Sequence, residues 1–244
     1  MADLGKSLGS PFRDPEWPLR TLVGAALEVA PFLVALPLIL RLLHRGAHLR
    51  AGELPLLGLA CLVALACRWI ELGYLRRLAE GTLAGADRAM PRWDRFGADL
   101  LEGFKLWLIS LGVLLPAIGT VAALAFTTAA LGAPRLAWIP VVLVLPPLLL
   151  LTLFYLPAAL LAAVASGDLG AAFDLGRVLG GISRAPVAYL LAFVVALMAL
   201  LLAQLGFLLL CIGVFATRFL ANCIAVHAFA SAWSECSRAQ APAA

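Results

Sequence analysis

Four ionisable side chains, Glu28, Arg68, Glu71 and His227, lie inside segments that are otherwise apolar. A charge at the centre of a lipid bilayer costs at least about 2.5 kcal/mol, so an ionisable residue there is a functional candidate by default. A carboxylate beside an imidazole could pass protons, because histidine changes its charge near neutral pH. A carboxylate beside a guanidinium could instead form an ion pair that holds two helices together.

Their positions along the chain place these side chains at similar depths. If the N-terminus is inside, Glu28 lies roughly 12 Å from the inner end of the first apolar segment, at about 1.5 Å per residue. The second segment runs the opposite way and carries Arg68 and Glu71 near that level, and His227 reaches it from the last segment. Three interpretations stay open. They are a structural ion pair between Glu28 and Arg68, a cytoplasm-facing polar pocket or proton-linked site with His227 as titrating partner, and a water-filled vestibule faced by Glu28.

No motif of a known catalytic site accompanies these residues. The chain has no nucleophile elbow, no HExxH motif, no glycine-rich phosphate loop and no aspartate cluster of the kind that holds magnesium. The five cysteines are scattered and show no disulfide framework. We therefore predict a non-enzymatic protein with no catalytic residue, no metal site and no cofactor.

The segments that must position these side chains are membrane helices. Three stretches, Leu106 to Pro134, Leu136 to Gly167 and Ala185 to Thr217, contain no charged residue, and each exceeds the roughly 20 residues that cross a bilayer. The chain is 64% hydrophobic and 13% charged. In lipid every backbone hydrogen bond must be made within the protein, and long apolar runs without alternation do this as helices. We predict an all-α polytopic membrane protein.

We expect one membrane domain, residues 1–244, with six transmembrane helices. Their predicted bounds are Leu19 to Leu43, Leu54 to Tyr74, Phe104 to Leu131, Trp138 to Ala165, Val187 to Leu208 and Cys211 to Trp233. The turn between the last two is expected near Gly206 or Gly213, because a single helix across both would be about 70 Å long. No cleavable signal peptide is expected, since the first apolar run is too long for one.

The distribution of basic residues predicts the orientation. Lysine and arginine concentrate in cytoplasmic loops, and with the N-terminus inside 13 of the 18 basic residues fall on the cytoplasmic side and 5 on the outside. Both termini should therefore be cytoplasmic. The arginines between Arg41 and Arg50 oppose this arrangement, and a reporter that placed their loop inside would refute the six-span prediction.

The sequence also suggests an internal repeat. Asp3-Leu4-Gly5-Lys6 with its flanking residues aligns with Asp174-Leu175-Gly176-Arg177, and each precedes a predicted hairpin. From Pro91 onward, large apolar residues, mostly aromatic, recur at helical spacing on one side of the predicted helix, and most of the charged residues lie off that side. We expect three repeats of an interfacial amphipathic helix plus a helical hairpin, at approximately 1–75, 91–165 and 168–234. Six residues of these helices are candidate contacts to lipid or to a partner: Arg92, Trp93, Arg95, Phe96, Arg177 and Arg184.

Several motifs carry a resemblance to a known family. They are Pro11-Phe12-Arg13-Asp14-Pro15-Glu16-Trp17, Gly73-Tyr74-Leu75-Arg76-Arg77, Pro91-Arg92-Trp93-Asp94-Arg95-Phe96-Gly97, Glu102-Gly103-Phe104-Lys105 and Phe173-Asp174-Leu175-Gly176. With these motifs the chain resembles the prokaryotic membrane family catalogued as domain of unknown function 4013. The resemblance implies a multi-pass protein of the prokaryotic cytoplasmic membrane. It brings no established activity, so it assigns no catalytic residue.

These observations favour a scaffold, assembly or lipid-organising component of the cytoplasmic membrane. The alternative is a small-solute or ion transporter or channel with a polar site around Glu28, Arg68 and His227, since internal repeats often occur in transporters. The net charge of +4 fits anionic lipid headgroups on the cytoplasmic side. We therefore expect membrane lipids and a protein partner as binding partners, and no nucleic acid, because no basic patch is interleaved with exposed aromatic residues.

Overall fold

The computed structural model describes residues 9–45, 51–85, 90–131, 136, 138–208 and 213–238. Its helices, labelled in chain order, are α1 (Trp17–Arg45), α2 (Leu54–Leu83), α3 (Phe96–Ala130), α4 (Ile139–Leu143), α5 (Leu145–Ser166), α6 (Leu175–Arg184), α7 (Pro186–Gln204) and α8 (Gly213–Arg238). Short 3-10 turns at Pro11–Arg13, Ala51–Glu53, Leu169–Ala172 and Leu205–Leu208 join them. Within these ranges the chain forms no strand.

Six long apolar helices confirm the all-α membrane class. The segments long enough to cross a bilayer are Trp17–His44, Leu54–Leu83, Phe96–Ala130, Val141–Ser166, Pro186–Leu208 and Gly213–Cys236. Large apolar side chains point outward along them, as Leu151 and Leu201 do with 65% and 70% of their surface exposed. An outward apolar surface of this extent is stable in lipid and is rare on a soluble monomer.

The core of the bundle consists mainly of small side chains. Alanines of α5, α7 and α8 are almost fully buried where these helices meet, among them Ala158, Ala192 and Ala230. Small residues let membrane helices approach closely, so that packing replaces the hydrophobic effect as the driving force. Helix α8 lies against α7 along its length and also packs on α1 and α2, which makes it the central helix of the bundle.

Helices α2 and α3 cross at two glycines. A Cβ built on Gly73 would overlap the backbone of Asp99, and a Cβ on Gly103 would overlap the carbonyl oxygen of Trp69. The two backbones therefore touch directly, and only glycine fits at either position. Both glycines belong to the sequence motifs singled out above.

The hairpin of α2 and α3 extends beyond the predicted spans. Helix α2 continues past Tyr74 to Leu83, and α3 begins at Phe96 and runs unbroken through the third span. The separate interfacial helix expected from Pro91 onward is therefore wrong. Charged residues of this region pair with one another across the hairpin, as Arg77 does with Asp99. Because these ion pairs compensate the charges within the protein, α3 does not have to break to expose them to water.

The threefold repeat is not confirmed. Only the third predicted copy has its own short helix among the described residues, α6. In the first copy Pro11–Arg13 forms a single 3-10 turn, and residues 1–8 lie outside the described ranges. Helix α7 ends at Gln204 and α8 begins at Gly213, which agrees with a helix break near Gly206 or Gly213.

Candidate functional site

An aromatic cluster closes one end of the bundle, the end at which α1 and α3 begin and α2 ends; we call it the motif end. Trp93 precedes α3 and stacks on Tyr74 of α2, with ring centroids 4.0 Å apart and an angle of 17° between the planes. Phe219 of α8 lies 5.8 Å from the ring of Trp93. The indole N–H of Trp93 donates a 2.9 Å hydrogen bond to the carbonyl of Arg20. Trp93, a predicted lipid contact, thus packs between α1, α2 and α8.

Ion pairs surround this cluster. Arg77 donates to Asp99 at 2.6 Å and to Asp94 at 3.1 Å, and its guanidinium lies 5.7 Å from the centre of the Tyr74 ring. Asp99 is 2% exposed, so its buried carboxylate requires Arg77 as an ion-pair partner. Two further arginines form similar links: Arg76 pairs with Glu80 and Glu102, and Arg20 pairs with Asp14 and Glu16. The motif residues therefore hold helices together at this end.

Deeper in the bundle, the predicted intramembrane residues pair differently from the prediction. Arg68 donates to Glu71 at 2.6 Å, one turn away on α2. Glu71 also accepts a 2.8 Å hydrogen bond from the side-chain amide of Asn222 on α8. Glu28 lies 3.9 Å from Arg218 of α8. The expected ion pair between Glu28 and Arg68 is therefore wrong.

The physical reason is the rotation of the helices. Chain position predicted the depth of Glu28 and Arg68, but depth does not say which side of a helix faces which neighbour. Helices α1 and α2 contact each other, and α8 packs against both and supplies Arg218 and Asn222. Sequence analysis missed Asn222, although an uncharged amide inside an apolar span is a recognisable signal of an interhelical hydrogen bond.

Glu28, Arg68, Glu71 and Arg218 nevertheless share one cavity of about 150 Å³. Two carboxylates and two guanidiniums line it, so the ionised groups balance without a bound ion. Its volume accommodates several water molecules. Glu28 Oε1 is buried and has no hydrogen-bond partner in the protein, so it is available to a water molecule or a small ligand. His227 lies on α8 beyond Asn222 and is not among the residues lining this cavity.

Arg68 also lines a second cavity of about 210 Å³ on the other side of α2. The walls are mostly leucine, valine and alanine side chains of α2, α5 and α8, and the polar lining residues are Arg68, Arg76 and Asn222. The hydrogen-bonded group of Arg68, Glu71 and Asn222 thus separates a charged cavity from an apolar one. Nothing in either cavity resembles a nucleophile activated by a base.

The remaining predicted contacts lie at the motif end. Arg92, Arg95 and Phe96 are exposed next to the aromatic cluster. Helix α6 begins after Asp174, whose carboxylate accepts the backbone N–H of Arg177 at 3.0 Å and caps the helix. Leu175 and Leu179 of α6 are 62% and 53% exposed, while Val178 is fully buried. Helix α6 therefore has its apolar residues at the surface of the bundle as well as in its core.

Across the described part of the chain, no group of three histidine, cysteine, aspartate or glutamate side chains could hold a metal ion. Four cysteines, Cys61, Cys67, Cys223 and Cys236, are free thiols. The described groups are suited to charge pairing, hydration and the binding of ions or headgroups.

Comparison with known proteins identifies a family. A family model described as protein of unknown function (DUF4013) matches residues 56–212. The matched segment contains the motifs of the α2–α3 hairpin, including Tyr74, Trp93 and Gly103. No curated protein and no solved structure matches the chain.

Proposed function

We propose that this chain, which belongs to the DUF4013 family of proteins of unknown function, is a non-enzymatic scaffold that organises anionic lipid at the cytoplasmic membrane. It is an integral membrane protein with six apolar helices. The role is proposed for a prokaryotic cytoplasmic membrane with both termini on the cytoplasmic side, where anionic headgroups and the positive loops of the motif end would meet. A protein partner docking on the same end is compatible with it.

The observation that carries this proposal is the use of charge within the bundle. The ionised groups of the spans, Glu28 with Arg218 and Arg68 with Glu71, pair with each other. At the motif end, Arg77 with Asp99 does the same. Charges consumed in ion pairs within the protein favour a fixed structure over a site that must release and rebind an ion during transport.

The surface of the motif end supplies the lipid contact. Arg92 and Arg95 are exposed there, and α6 exposes leucines to the surroundings. Basic residues near a membrane surface attract anionic lipid with about 1 kcal/mol each, and exposed leucines insert among acyl chains. The two features together match an interface that holds anionic lipid against the protein.

Thermal unfolding in nanodiscs tests the proposal. The full chain is compared in discs of phosphatidylcholine and in discs containing phosphatidylglycerol. Bound lipid stabilises the folded state by mass action, about 2.7 kcal/mol at a lipid concentration one hundred times Kd, so the unfolding midpoint should rise by several degrees with phosphatidylglycerol. Equal midpoints in the two lipids would contradict a role in organising anionic lipid.

Orientation needs a separate measurement. Reporter fusions at the C-terminus and after Arg45 should report the cytoplasm and the opposite side, respectively. A cytoplasmic signal after Arg45 would overturn both the topology and the proposed placement of the motif end.

A transporter or channel is the second candidate, and the unpartnered Oε1 of Glu28 favours it. That oxygen shares a cavity with Arg68, which also borders the apolar cavity. Proton flux into liposomes containing the full chain, read with a trapped pH-sensitive dye, tests this candidate. A flux that Glu28→Gln removes and Glu16→Gln leaves intact would support transport, because the side chain of Glu16 is 55% exposed at the motif end. No flux above protein-free liposomes would leave the scaffold as the better account.

A further inference from the structure

A cavity of about 360 Å³ lies between the ends of α5 and α8 and one face of α6. Its lining residues are Ala162, Ala165, Ser166, Arg177, Gly181, Arg184, Trp233 and Cys236. The volume is at the lower end of the range of small-molecule sites, about 300–1,000 Å³. It is separate from the two cavities of the intramembrane polar group.

Two arginines are the charged groups of this cavity. Arg177 and Arg184 are seven residues apart on α6, so they lie on the same face about two helical turns, or roughly 10 Å, from each other. No carboxylate is among the described residues that line the cavity. The neighbouring Asp174 approaches the Nε of Arg177 at 3.7 Å, with both side chains about half exposed, so this ion pair is weak. A pair of guanidiniums around a concave space is suited to phosphate, which arginine binds through two parallel hydrogen bonds.

The walls of the cavity are fixed by close packing. Gly181 lies between the two arginines on α6, and a Cβ there would overlap the indole ring of Trp233. Trp233 is 7% exposed and Cys236 is 2% exposed, so the α8 wall is held within the bundle. The two arginines are therefore carried on a helix whose distance from α8 is already set, and a ligand need not order them from a flexible loop.

The position of the cavity matches the level of lipid headgroups. Ser166 is the last residue of α5, and Gly167 follows it in the left-handed conformation at φ 69°, which ends the helix. On its other side α6 contributes Leu175 and Leu179 to an apolar groove of about 550 Å³ between α3 and α5. Helix α6 thus separates a basic cavity from an apolar groove, as expected of a helix at the boundary between headgroups and acyl chains.

We propose that the cavity between Arg177, Arg184 and Trp233 binds the phosphate of an anionic phospholipid. This inference rests on the proposed lipid-organising function and names the site at which it acts. Arg177 and Arg184 supply the charge-assisted hydrogen bonds, and the Ser166 hydroxyl, which donates to Ala162, has acceptor capacity left for a headgroup hydroxyl.

Lipid titration followed by native mass spectrometry tests the site, with the full chain in a neutral detergent. The probe is dioleoyl phosphatidylglycerol, and dioleoyl phosphatidylcholine is the reference lipid. The double variant Arg177→Gln/Arg184→Gln should bind phosphatidylglycerol at least about tenfold more weakly, since each charge-assisted hydrogen bond contributes that much or more. The matched control Arg13→Gln/Arg41→Gln removes the same number of charges from exposed positions outside the cavity and should change binding by less than about twofold.

A third variant tests the cavity without changing any charge. Ala165 is exposed at the cavity wall, so Ala165→Phe should fold normally and fill the space. We expect it to weaken phosphatidylglycerol binding as strongly as the double variant does, and it carries the test if the double variant does not fold. Unchanged binding in Ala165→Phe would overturn the cavity as the site.

The other outcomes separate the site from the function. If both double variants lose phosphatidylglycerol equally, the cavity is not the site although the protein still binds anionic lipid. If the unaltered chain does not distinguish the two lipids, the proposed function fails together with the inference. sn-Glycerol phosphate serves as a competitor without acyl chains. Displacement of phosphatidylglycerol by an equal concentration of it would show a site for free phosphate esters and overturn the assignment to lipid.

Discussion

The indole of Trp93 lies parallel to the ring of Tyr74, with 4.0 Å between the ring centroids. Trp93 belongs to the segment before α3 and Tyr74 to α2. The stack is completed by Phe219 of α8 and anchored by the hydrogen bond from Trp93 to the carbonyl of Arg20 in α1. One side chain outside the spans therefore touches three of them, and the motif end depends on it.

Replacing Trp93 should destabilise the whole bundle. Trp93→Ala removes the stack and the indole donor, and we expect a loss of about 3 kcal/mol in the free energy of unfolding. Thermal unfolding in detergent measures the change. Trp138→Ala serves as the control, because Trp138 is 58% exposed and its replacement should cost less than about 0.5 kcal/mol. Equal losses in the free energy of unfolding of the two variants would show that the stack of Trp93 on Tyr74 stabilises the bundle no more than an exposed tryptophan does.

The role of Trp93 shows where sequence reasoning succeeds and where it stops. The apolar runs predicted six spans, and six are found, because hydrophobic length alone decides whether a helix can cross a bilayer. Trp93 was predicted to contact lipid or a partner from the aromatic face of an interfacial helix, yet its ring packs against Tyr74 and Phe219. Helical spacing of aromatic residues does not distinguish a face toward lipid from a contact between helices.

The intramembrane group illustrates a second limit. Glu28 and Arg68 were predicted to lie at similar depths, with Glu71 one turn shallower, and all three line one cavity. Their partners were not predictable, since the pairing of Glu28 with Arg218 depends on how α8 is rotated and tilted. Local pairing was easier to foresee, because Arg68 and Glu71 are three residues apart on one helix face.

The glycine contact between α2 and α3 predicts a strong effect of a single methyl group. Gly103→Ala places a Cβ on the carbonyl oxygen of Trp69, so the helices must separate, at a cost of about 3 kcal/mol or more. Yield of folded protein and the unfolding midpoint measure it. Gly119→Ala in the same helix is the matched control, because a Cβ there has nothing within 4 Å and alanine favours the helix. An unaffected Gly103→Ala variant would contradict the direct backbone contact.

The two carboxylates that pair with Arg77, those of Asp99 and Asp94, should contribute unequally to the free energy of unfolding. Asp99 is 3% exposed as a side chain and Asp94 is 59% exposed, although both pair with the same guanidinium. Asp99→Asn leaves a buried positive charge with a weaker partner, and we expect a loss of about 3 kcal/mol. Asp94→Asn should lose less than about 1 kcal/mol, because an exposed ion pair is screened by water.

Chemical or thermal unfolding of the two asparagine variants decides the point. A further variant, Arg77→Met, should lose as much as Asp99→Asn, and the double variant should lose clearly less than the sum of the two. Strictly additive losses would show that Arg77 and Asp99 do not stabilise each other.

The last prediction concerns which intramembrane charges are coupled. The contacts pair Arg68 with Glu71 and place Glu28 near Arg218. Glu71→Gln and Arg68→Leu should therefore be coupled by about 1 kcal/mol or more, because losing Arg68 leaves the Glu71 carboxylate, which is 4% exposed, without its ion-pair partner. Glu28→Gln and Arg68→Leu should be additive to within about 0.5 kcal/mol, since no direct contact joins them.

Two double-mutant cycles that share Arg68→Leu compare these couplings in one set of unfolding measurements. The shared variant is the internal control, because any general damage caused by losing Arg68 enters both cycles equally. Stronger coupling of Arg68 to Glu28 than to Glu71 would contradict the observed pairing and restore the ion pair expected from depth alone. If Arg68 is coupled to Glu71 alone, Glu28 does not contribute to the ion pair on α2, and its Oε1 has no partner within the protein.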